Sequence, residues 1–393
     1  MDLYLQLGHG MMGYCKELIT KWGEGTVILS PRDLTETQTK NFSNELLKIN
    51  GKTLFDPQYY NPRADHHKLT EWSHWFDEFD TSLLSDNTFL EGKFKEIKHI
   101  NDYCHTSAYI IPSRICEEPD KRWEKEQESS IERAIHIFDD KEKYLTIALS
   151  FDVLSNEKSI EKIIDMTSGW TVDGYYVVPG GDYLEEDSYW LMNLAQLVAG
   201  LKLQNKKVIV GYSSHQMLSL ACANVDAIAS GTFLNIRSFS AGKFDKPDAD
   251  AVSRRSVWYY CPQTLSEYGK RALDRAYDYK VLDDLKPFGK TNKYVKVLFS
   301  GAKPSTVEFG DSLAFKHYLL TLKKQCLLAK RDTFEKTIDY HQTLSDNASD
   351  LIRNLEKKGV RDTKRSFSNI VDVYQDTLFK LKKERGALLK RKW

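Results

Sequence analysis

The chain has 393 residues, of which 41% are hydrophobic and 28% are charged, and its formal net charge at pH 7 is zero. This composition is ordinary for a globular protein, and no segment approaches the roughly 20 apolar residues of a membrane span, so we expect no membrane association. The six cysteines are scattered without close pairs, which disfavours a disulfide framework and favours a reducing, cytoplasmic location.

Eight short apolar runs recur along the chain, separated by helical stretches and mostly followed by polar clusters. Such runs are typical of strands that are buried on both faces of a parallel sheet. Eight of them predict an α/β fold, a (β/α)8 barrel of the TIM type, in which chemistry occurs just past the C-terminal ends of the strands. The predicted strands are residues 3–7, 26–29, 53–55, 145–149, 175–178, 208–210, 227–229 and 295–299.

The barrel is predicted to span residues 1–325 with two insertions. A minimal barrel needs only about 250 residues, so the remainder must lie outside the regular strand–helix units. We place a long insertion after the third strand, at about residues 57–125, and a second one after the seventh strand, at about residues 238–293. Loops of this length are usually functional or have structure of their own, and the first would overhang the barrel mouth.

Residues 326–393 are predicted to form a helical, basic C-terminal appendage. From residue 323 to the end there are 18 Lys and Arg against 10 Asp and Glu, a net charge of +8. The cations could bind the phosphates of RNA or DNA, or simply complement the dipole of a solvated helix end. The helices themselves could pack on the barrel, on a second copy or on a partner protein. The candidate nucleic-acid-binding residues are Lys380, Lys382, Lys383, Arg385, Lys390, Arg391 and Lys392.

Four residues at predicted strand ends are candidates for catalysis. Asp56 and Asp152 follow strands three and four, where a carboxylate could act as acid, base or nucleophile, although Asp also favours turns. His9 and His215 follow strands one and six, and we expect all four side chains to share one cavity. The two histidines could bind a metal with either Asp. However, residue 7 is Leu, so the His-x-His of barrel metal hydrolases is absent.

Other residues near the strand ends are candidates for substrate binding. Arg32, Arg63 and Arg237 suggest an anionic substrate, but each could instead pair with a neighbouring acid. His66 and His67 are adjacent, so their side chains are expected to diverge. The remaining candidates, which would line the pocket, are Tyr176, Gly180, Gly181, Tyr212 and Asn235.

Short motifs between strands four and seven resemble a known family. Asp152 follows strand four, Val178-Pro-Gly-Gly181 ends strand five, Gly211-Tyr212 follows strand six, and strand seven precedes Thr232-Phe-Leu-Asn-Ile-Arg237. Over about 90 residues, these motifs are similar to those of the tRNA-guanine transglycosylase superfamily, barrel enzymes that exchange a nucleobase in a polynucleotide. The resemblance implies that Asp152 recognises the base.

The chain departs from that family at three points. The nucleophilic Asp would fall near Ser230 or Gly231, neither of which is a carboxylate. The Gln of the strand-five signature is Pro179, and the three-cysteine zinc element after strand seven is missing, because that region contains only Cys261. A shared barrel does not by itself fix a shared reaction.

Three functions therefore stay open. The first is a cofactor-free, transglycosylase-like enzyme acting on a nucleobase or nucleotide-like ligand, in which Asp152 binds or protonates the base and Asp56 is the second carboxylate. The second is a catalytically altered barrel that binds nucleic acid or a partner protein. The third is a metal-dependent hydrolase that uses His9, His215 and Asp152.

Overall fold

A computed structural model of the chain describes residues 1–61, 63–76, 84–245, 256–287, 292–361 and 367–393. Eight parallel strands in this part of the chain form a nearly closed barrel, which confirms the predicted (β/α)8 fold. The strands are β1 (Asp2–Gln6), β2 (Gly25–Leu29), β3 (Gly51–Phe55), β4 (Tyr109–Ile111), β5 (Lys143–Leu149), β6 (Gly174–Pro179), β7 (Lys207–Val210) and β8 (Ala227–Ser230).

The strands are hydrogen-bonded in the order β3-β2-β1-β8-β7-β6-β5-β4. The first and last strands in this order, β3 and β4, are also neighbours. The Ser107 amide, just before β4, donates to the Thr53 carbonyl of β3 at 3.0 Å. A separate antiparallel hairpin follows the barrel strands and consists of β9 (Trp258–Cys261) and β10 (Ser266–Gly269). The hairpin lies within the predicted second insertion.

One predicted strand is wrong, and its replacement lies in the predicted first insertion. Residues 295–299 contain the 3-10 helix Lys296–Phe299, in which Leu298 is buried, so this apolar run reflects packing rather than a strand. The missing barrel strand is β4, which is only three residues long and is followed by Pro112. Residues 57–125 are therefore partly a regular strand–helix unit of the barrel. The predicted strands four to seven correspond to β5–β8.

Helices alternate with the strands and cover the outside of the sheet. None of the described helices is long and apolar enough to cross a membrane. The α-helices are α1 (Met12–Trp22), α2 (Glu36–Leu47), α3 (His67–Thr70), α4 (Asn87–Tyr103), α5 (Lys121–Ile137), α6 (Phe151–Ser155), α7 (Glu157–Thr167), α8 (Ser188–Leu203), α9 (Lys270–Asp278), α10 (Asp311–Ala329), α11 (Phe334–Lys357), α12 (Phe367–Glu384) and α13 (Gly386–Lys392). The 3-10 helices are His215–Ala223, Leu234–Ile236, Ala241–Phe244, Leu282–Leu285, Lys296–Phe299 and Pro304–Thr306.

The C-terminal helices complete the outer layer of the barrel. Between β7 and β8 the chain forms the 3-10 helix His215–Ala223, all of whose residues are buried. Since this short helix cannot shield the sheet from solvent, α10, α11 and α12 pack over it, and α12 also packs along α8. The C-terminal region is helical as predicted. However, the boundary at residues 325/326 falls inside α10, which packs against β1 and α1.

Several cations of the basic tail contact acceptors within the chain. Lys380 pairs with Glu157 of α7 at 3.1 Å, Lys390 pairs with Glu335 at 2.6 Å, and Arg385 pairs with Glu161. Lys392 donates to the side-chain oxygen of Asn205 at 2.9 Å. These contacts favour the interpretation that the tail packs on the barrel. Exposed pairs contribute only about 0–1 kcal/mol, however, so they could exchange with phosphate. The remaining candidates in the tail, Lys382, Lys383 and Arg391, are exposed.

Candidate active site at the barrel mouth

A short segment after β8 crosses the mouth of the barrel. Residues 239–245 contain the 3-10 helix Ala241–Phe244, and we call this segment the strap. On one side, the Gly181 amide after β6 donates to the Phe239 carbonyl at 3.0 Å. On the other side, the His66 amide donates to the Phe244 carbonyl at 3.2 Å. The strap is therefore hydrogen-bonded to one segment that follows β6 and to another that follows β3.

Asp56, which directly follows β3, is buried beneath the strap. One carboxylate oxygen accepts a hydrogen bond from the Tyr60 hydroxyl at 2.6 Å, and the other accepts one from the Gln58 amide at 3.0 Å. The Tyr60 ring packs on Phe239 and Phe244 of the strap, with centroid distances of 4.9 and 5.3 Å. Tyr60 and the strap thus close over the carboxyl group, which is 1% exposed.

The surroundings of Asp56 adjust its pKa to the physiological range. Burial raises the pKa of Asp56 from 3.8 to about 7, and the hydrogen bonds from Tyr60 and from the Gln58 amide oppose this shift only partly. A carboxyl group whose pKa lies near the working pH is suited to both donating and accepting a proton. Strongly shifted carboxyl groups in a mouth of this kind are frequent at active sites.

Polar side chains from several strands surround Asp56 inside the barrel. The Tyr176 hydroxyl of β6 donates to the side-chain oxygen of Gln6 on β1 at 3.0 Å. The Gln58 amide nitrogen donates to the Tyr212 hydroxyl at 3.2 Å and to the Ser30 hydroxyl at 2.9 Å. Among the described residues, the buried amide nitrogen of Gln6 has no hydrogen-bond partner. A buried donor without a partner is unfavourable by about 1–3 kcal/mol, so the Gln6 amide can donate a hydrogen bond to a ligand beside Asp56.

A cation-lined cavity of about 640 Å3 opens on one side of the strap. Its basic side chains outnumber its acidic ones, and its volume is suited to a small molecule. Contrary to expectation, the rings of His66 and His67 do not diverge but stack with their centroids 4.8 Å apart. The lining residues are His9, Arg32, Asp33, His66, His67, Lys68, Asn235, Gly242, Lys243 and Asp245.

Lys243 connects the strap to this cavity and to the aromatic cluster above Asp56. Its ammonium donates to the carbonyls of Asn235 and Ser238 at 2.8 and 2.6 Å, and it lies 4.2 Å from the centre of the Tyr212 ring. Burial, followed by the nearby charge of Arg32, lowers the pKa of Lys243. The same two causes lower the pKa of His66 to about 4. His66 is therefore neutral at pH 7.

A second cavity, of about 520 Å3, lies on the other side of the strap at the ends of β5 and β6. A Cβ atom on Gly180 would lie 2.4 Å from the Leu149 carbonyl oxygen, and one on Gly181 would lie 2.5 Å from the Glu185 carboxylate. Close packing therefore explains both glycines. The lining residues are Ile115, Ser150, Phe151, Gly180, Gly181, Asp182, Glu185, Phe239, Ser240 and Ala241.

The four predicted catalytic residues do not share one cavity. Asp152 is exposed because Ser150 caps α6 by accepting from the Val153 amide at 3.3 Å, which places Asp152 in the first turn of that helix. His215 is buried elsewhere, with one ring nitrogen 2.8 Å from the Leu265 carbonyl. His9 is exposed and lines the cation-lined cavity, while Asp56 lies below the strap. The expectation of a shared cavity is thus wrong.

The predicted substrate-binding arginines lie in three different environments. Arg32 lines the cation-lined cavity, as does Asn235. Arg63 is exposed on the segment after β3. Arg237 lines a separate small cavity of about 50 Å3, and its buried guanidinium forms an ion pair with Glu267 at 2.8 Å. Its other nitrogens donate to backbone carbonyls, and Tyr318 packs against its face. These contacts hold Arg237 against the segment that directly follows β8.

Sequence reasoning missed several residues of this mouth. Gln6 is a polar residue on an inward-facing position of an apolar strand, which is a signal that could have identified it. Tyr60 and Lys243 belong to segments interpreted as insertions, and no local pattern brings them to Asp56. Within the described residues there is no group of three His, Cys, Asp or Glu side chains that could hold a metal ion.

No protein-family model matches this chain, and no curated protein matches it.

Proposed function

We propose that the chain is a TIM-barrel enzyme that acts on a nucleobase or nucleotide-like ligand, with Asp56 as the group that transfers the proton. The observation that carries this proposal is the buried Asp56 carboxyl group at the end of a barrel strand, with its pKa raised to about 7. Active sites of TIM barrels lie at this end of the strands. A carboxyl group in this state is available as an acid and as a base at neutral pH.

The groups around Asp56 are of the kinds that recognise a base. Hydroxyl and amide groups of Tyr176, Gln6 and Gln58 can hydrogen-bond to the edges of a planar heterocycle, and the rings of Tyr60 and Tyr212 offer faces for stacking. The resemblance to the tRNA-guanine transglycosylase superfamily supports base exchange as the reaction. A nucleotide-sized ligand could extend from this layer into the cation-lined cavity.

In such an exchange, one carboxyl group can balance the protons. Protonated Asp56 gives its proton to the departing base, which takes the electron pair of the glycosidic C–N bond as that bond breaks. The sugar is left as an oxocarbenium ion, which the incoming base attacks. The resulting carboxylate then takes the proton that the incoming base loses as the new C–N bond forms. The enzyme thus returns to its starting state without a cofactor or a net change in protonation.

The substrate can reach Asp56 only when the strap moves. Phe239 and Phe244 cover Tyr60 and, with it, the carboxyl group. The backbone bonds to Gly181 and His66 join the strap to the mouth at its two ends. Breaking a few bonds of this kind is within the reach of a loop that opens on the microsecond to millisecond timescale. Closure would also exclude water from the reaction.

The test is a base-exchange assay with radiolabelled nucleobases and unlabelled nucleosides, nucleotides and polynucleotides as acceptors. Asp56→Asn should lower the rate by about 10²–10⁴-fold, the usual contribution of general acid–base catalysis, while the protein stays folded. Asp165→Asn, which changes an exposed carboxylate on α7, is the matched control and should have no effect. Full activity of Asp56→Asn would contradict the proposal, as would loss of activity in Asp152→Asn alone.

A further inference from the structure

The cation-lined cavity beside the strap has the character of an anion site. We propose that it binds the terminal phosphate of a small-molecule phosphate monoester, with Arg32 as the principal ligand. This inference rests on the proposed function, since the phosphate would belong to the nucleotide whose base reaches Asp56.

The charges of the cavity favour a dianion. The basic residues Arg32, Lys68 and Lys243 line it together with three histidines. Its two acids already have partners within the chain. Asp33 accepts from the Ser30 hydroxyl at 2.7 Å, and Asp245 accepts from the Asn61 amide at 2.7 Å. The three basic side chains outnumber these two carboxylates, so the cavity has one formal positive charge in excess.

Arg32 has hydrogen-bonding capacity that its neighbours among the described residues use only weakly. Its side chain is 11% exposed, yet its guanidinium reaches the Lys243 carbonyl and the Asp33 carboxylate only at 3.3 and 3.4 Å. The buried Arg237 makes three bonds of 2.8–2.9 Å. Since N–H···O bonds are normally about 2.9–3.0 Å long, the contacts of Arg32 are weak. A planar guanidinium of this kind is suited to bidentate binding of phosphate.

Two neighbours can complete the site. The Lys68 ammonium donates to the Asp33 carbonyl at 3.1 Å and is half-buried, so it lies on the same wall as Arg32. His67, which precedes Lys68, is exposed and stacks on His66. Lys243 has a different role, because its ammonium is occupied by two carbonyls of its own segment.

The structure favours a small molecule over a polynucleotide as the source of the phosphate. The strap bounds the cavity on one side, and the cavity volume of about 640 Å3 fits a nucleotide-sized ligand. Lys380, Arg385 and Lys390 of the basic tail pair with acids of α7 and α11, which weakens the case for a continuous basic track along the surface.

The probes are inorganic phosphate, a nucleoside 5′-monophosphate and a single-stranded oligonucleotide without terminal phosphate, each titrated calorimetrically into the full chain. We expect phosphate and the monophosphate to bind and the oligonucleotide not to compete with them. Arg32→Gln should weaken binding about tenfold or more, because one hydrogen bond to a charged group corresponds to at least that factor. Lys68→Gln should weaken it by a smaller factor.

Arg353→Gln is the matched control, because it removes the same charge from an exposed position on α11 and should leave phosphate binding unchanged. Thermal unfolding of each variant separates loss of binding from loss of folding. The proposal is overturned if phosphate does not bind, if Arg32→Gln and Lys68→Gln bind it as the wild type does, or if the oligonucleotide displaces it. If base exchange depends on Asp56 while phosphate fails to bind, only the phosphate site is refuted.

Discussion

The free energy of unfolding should depend on pH through the ionisation of Asp56. Because the pKa of this group is about 7 in the folded chain and near 3.8 when unfolded, the folded state holds an extra proton between these values. Stability from this group is therefore full at low pH and falls as pH rises from about 4 to about 7. The free energy of unfolding falls by about 1.4 kcal/mol per pH unit where Asp56 is ionised in the unfolded chain and protonated in the folded chain. Between pH 5 and pH 8 the loss amounts to about 2.5 kcal/mol.

Asp56→Asn isolates this contribution, since the amide keeps the shape and hydrogen-bonding capacity of the neutral acid but cannot ionise. Relative to the wild type, the variant should gain about 2.5 kcal/mol of unfolding free energy between pH 5 and pH 8. The assay is urea unfolding at both pH values, with Asp165→Asn as a control whose pH dependence follows the wild type. Parallel pH profiles of Asp56→Asn and the wild type would refute the raised pKa.

Two further predictions concern the packing around the mouth and the tail. Arg237→Met should destabilise the fold by about 3–5 kcal/mol, because it leaves Glu267 as an uncompensated buried charge. Arg32→Gln should destabilise it less, because the Arg32–Asp33 contact is 3.4 Å long and Asp33 keeps the hydrogen bond from Ser30. Urea unfolding at pH 7 measures both, and a larger loss for Arg32→Gln would contradict the assignment of roles. If the tail binds nucleic acid, replacing Lys382, Lys383 and Arg391 with Gln should reduce the slope of log affinity against log salt by about 0.9 per lost phosphate contact on duplex DNA. Filter binding at several salt concentrations checks this, and an unchanged slope would exclude these residues.

The barrel could be predicted from the sequence because its strands are apolar on both faces and recur between helices. The exception, β4, has too few residues to show a pattern, and residues 295–299 show an apolar run for another reason. The sequence singled out both Asp56 and Asp152 because each follows a strand. What separates them is the helix cap at Ser150, which turns Asp152 to the surface.

The mouth itself could be predicted only in part. Asp56, Arg32 and Tyr212 follow from their positions just after strands, and Tyr176 follows from its place within a predicted strand. The strap could not be foreseen, because its anchors at Gly181 and His66 are far apart in sequence and are joined by backbone hydrogen bonds. Backbone hydrogen bonds can form between almost any two residue types, so the sequence does not reveal them. The raised pKa of Asp56 depends on that cover.

The protonation of Asp56 can be measured directly by infrared difference spectroscopy of the wild type against Asp56→Asn from pH 4 to pH 9. A buried carboxyl group that serves as both acid and base should keep its protonated C=O band through pH 6 and lose it around pH 7. Loss of the band near pH 4, where an exposed Asp titrates, would contradict the central claim that the closed mouth holds Asp56 ready for proton transfer at neutral pH.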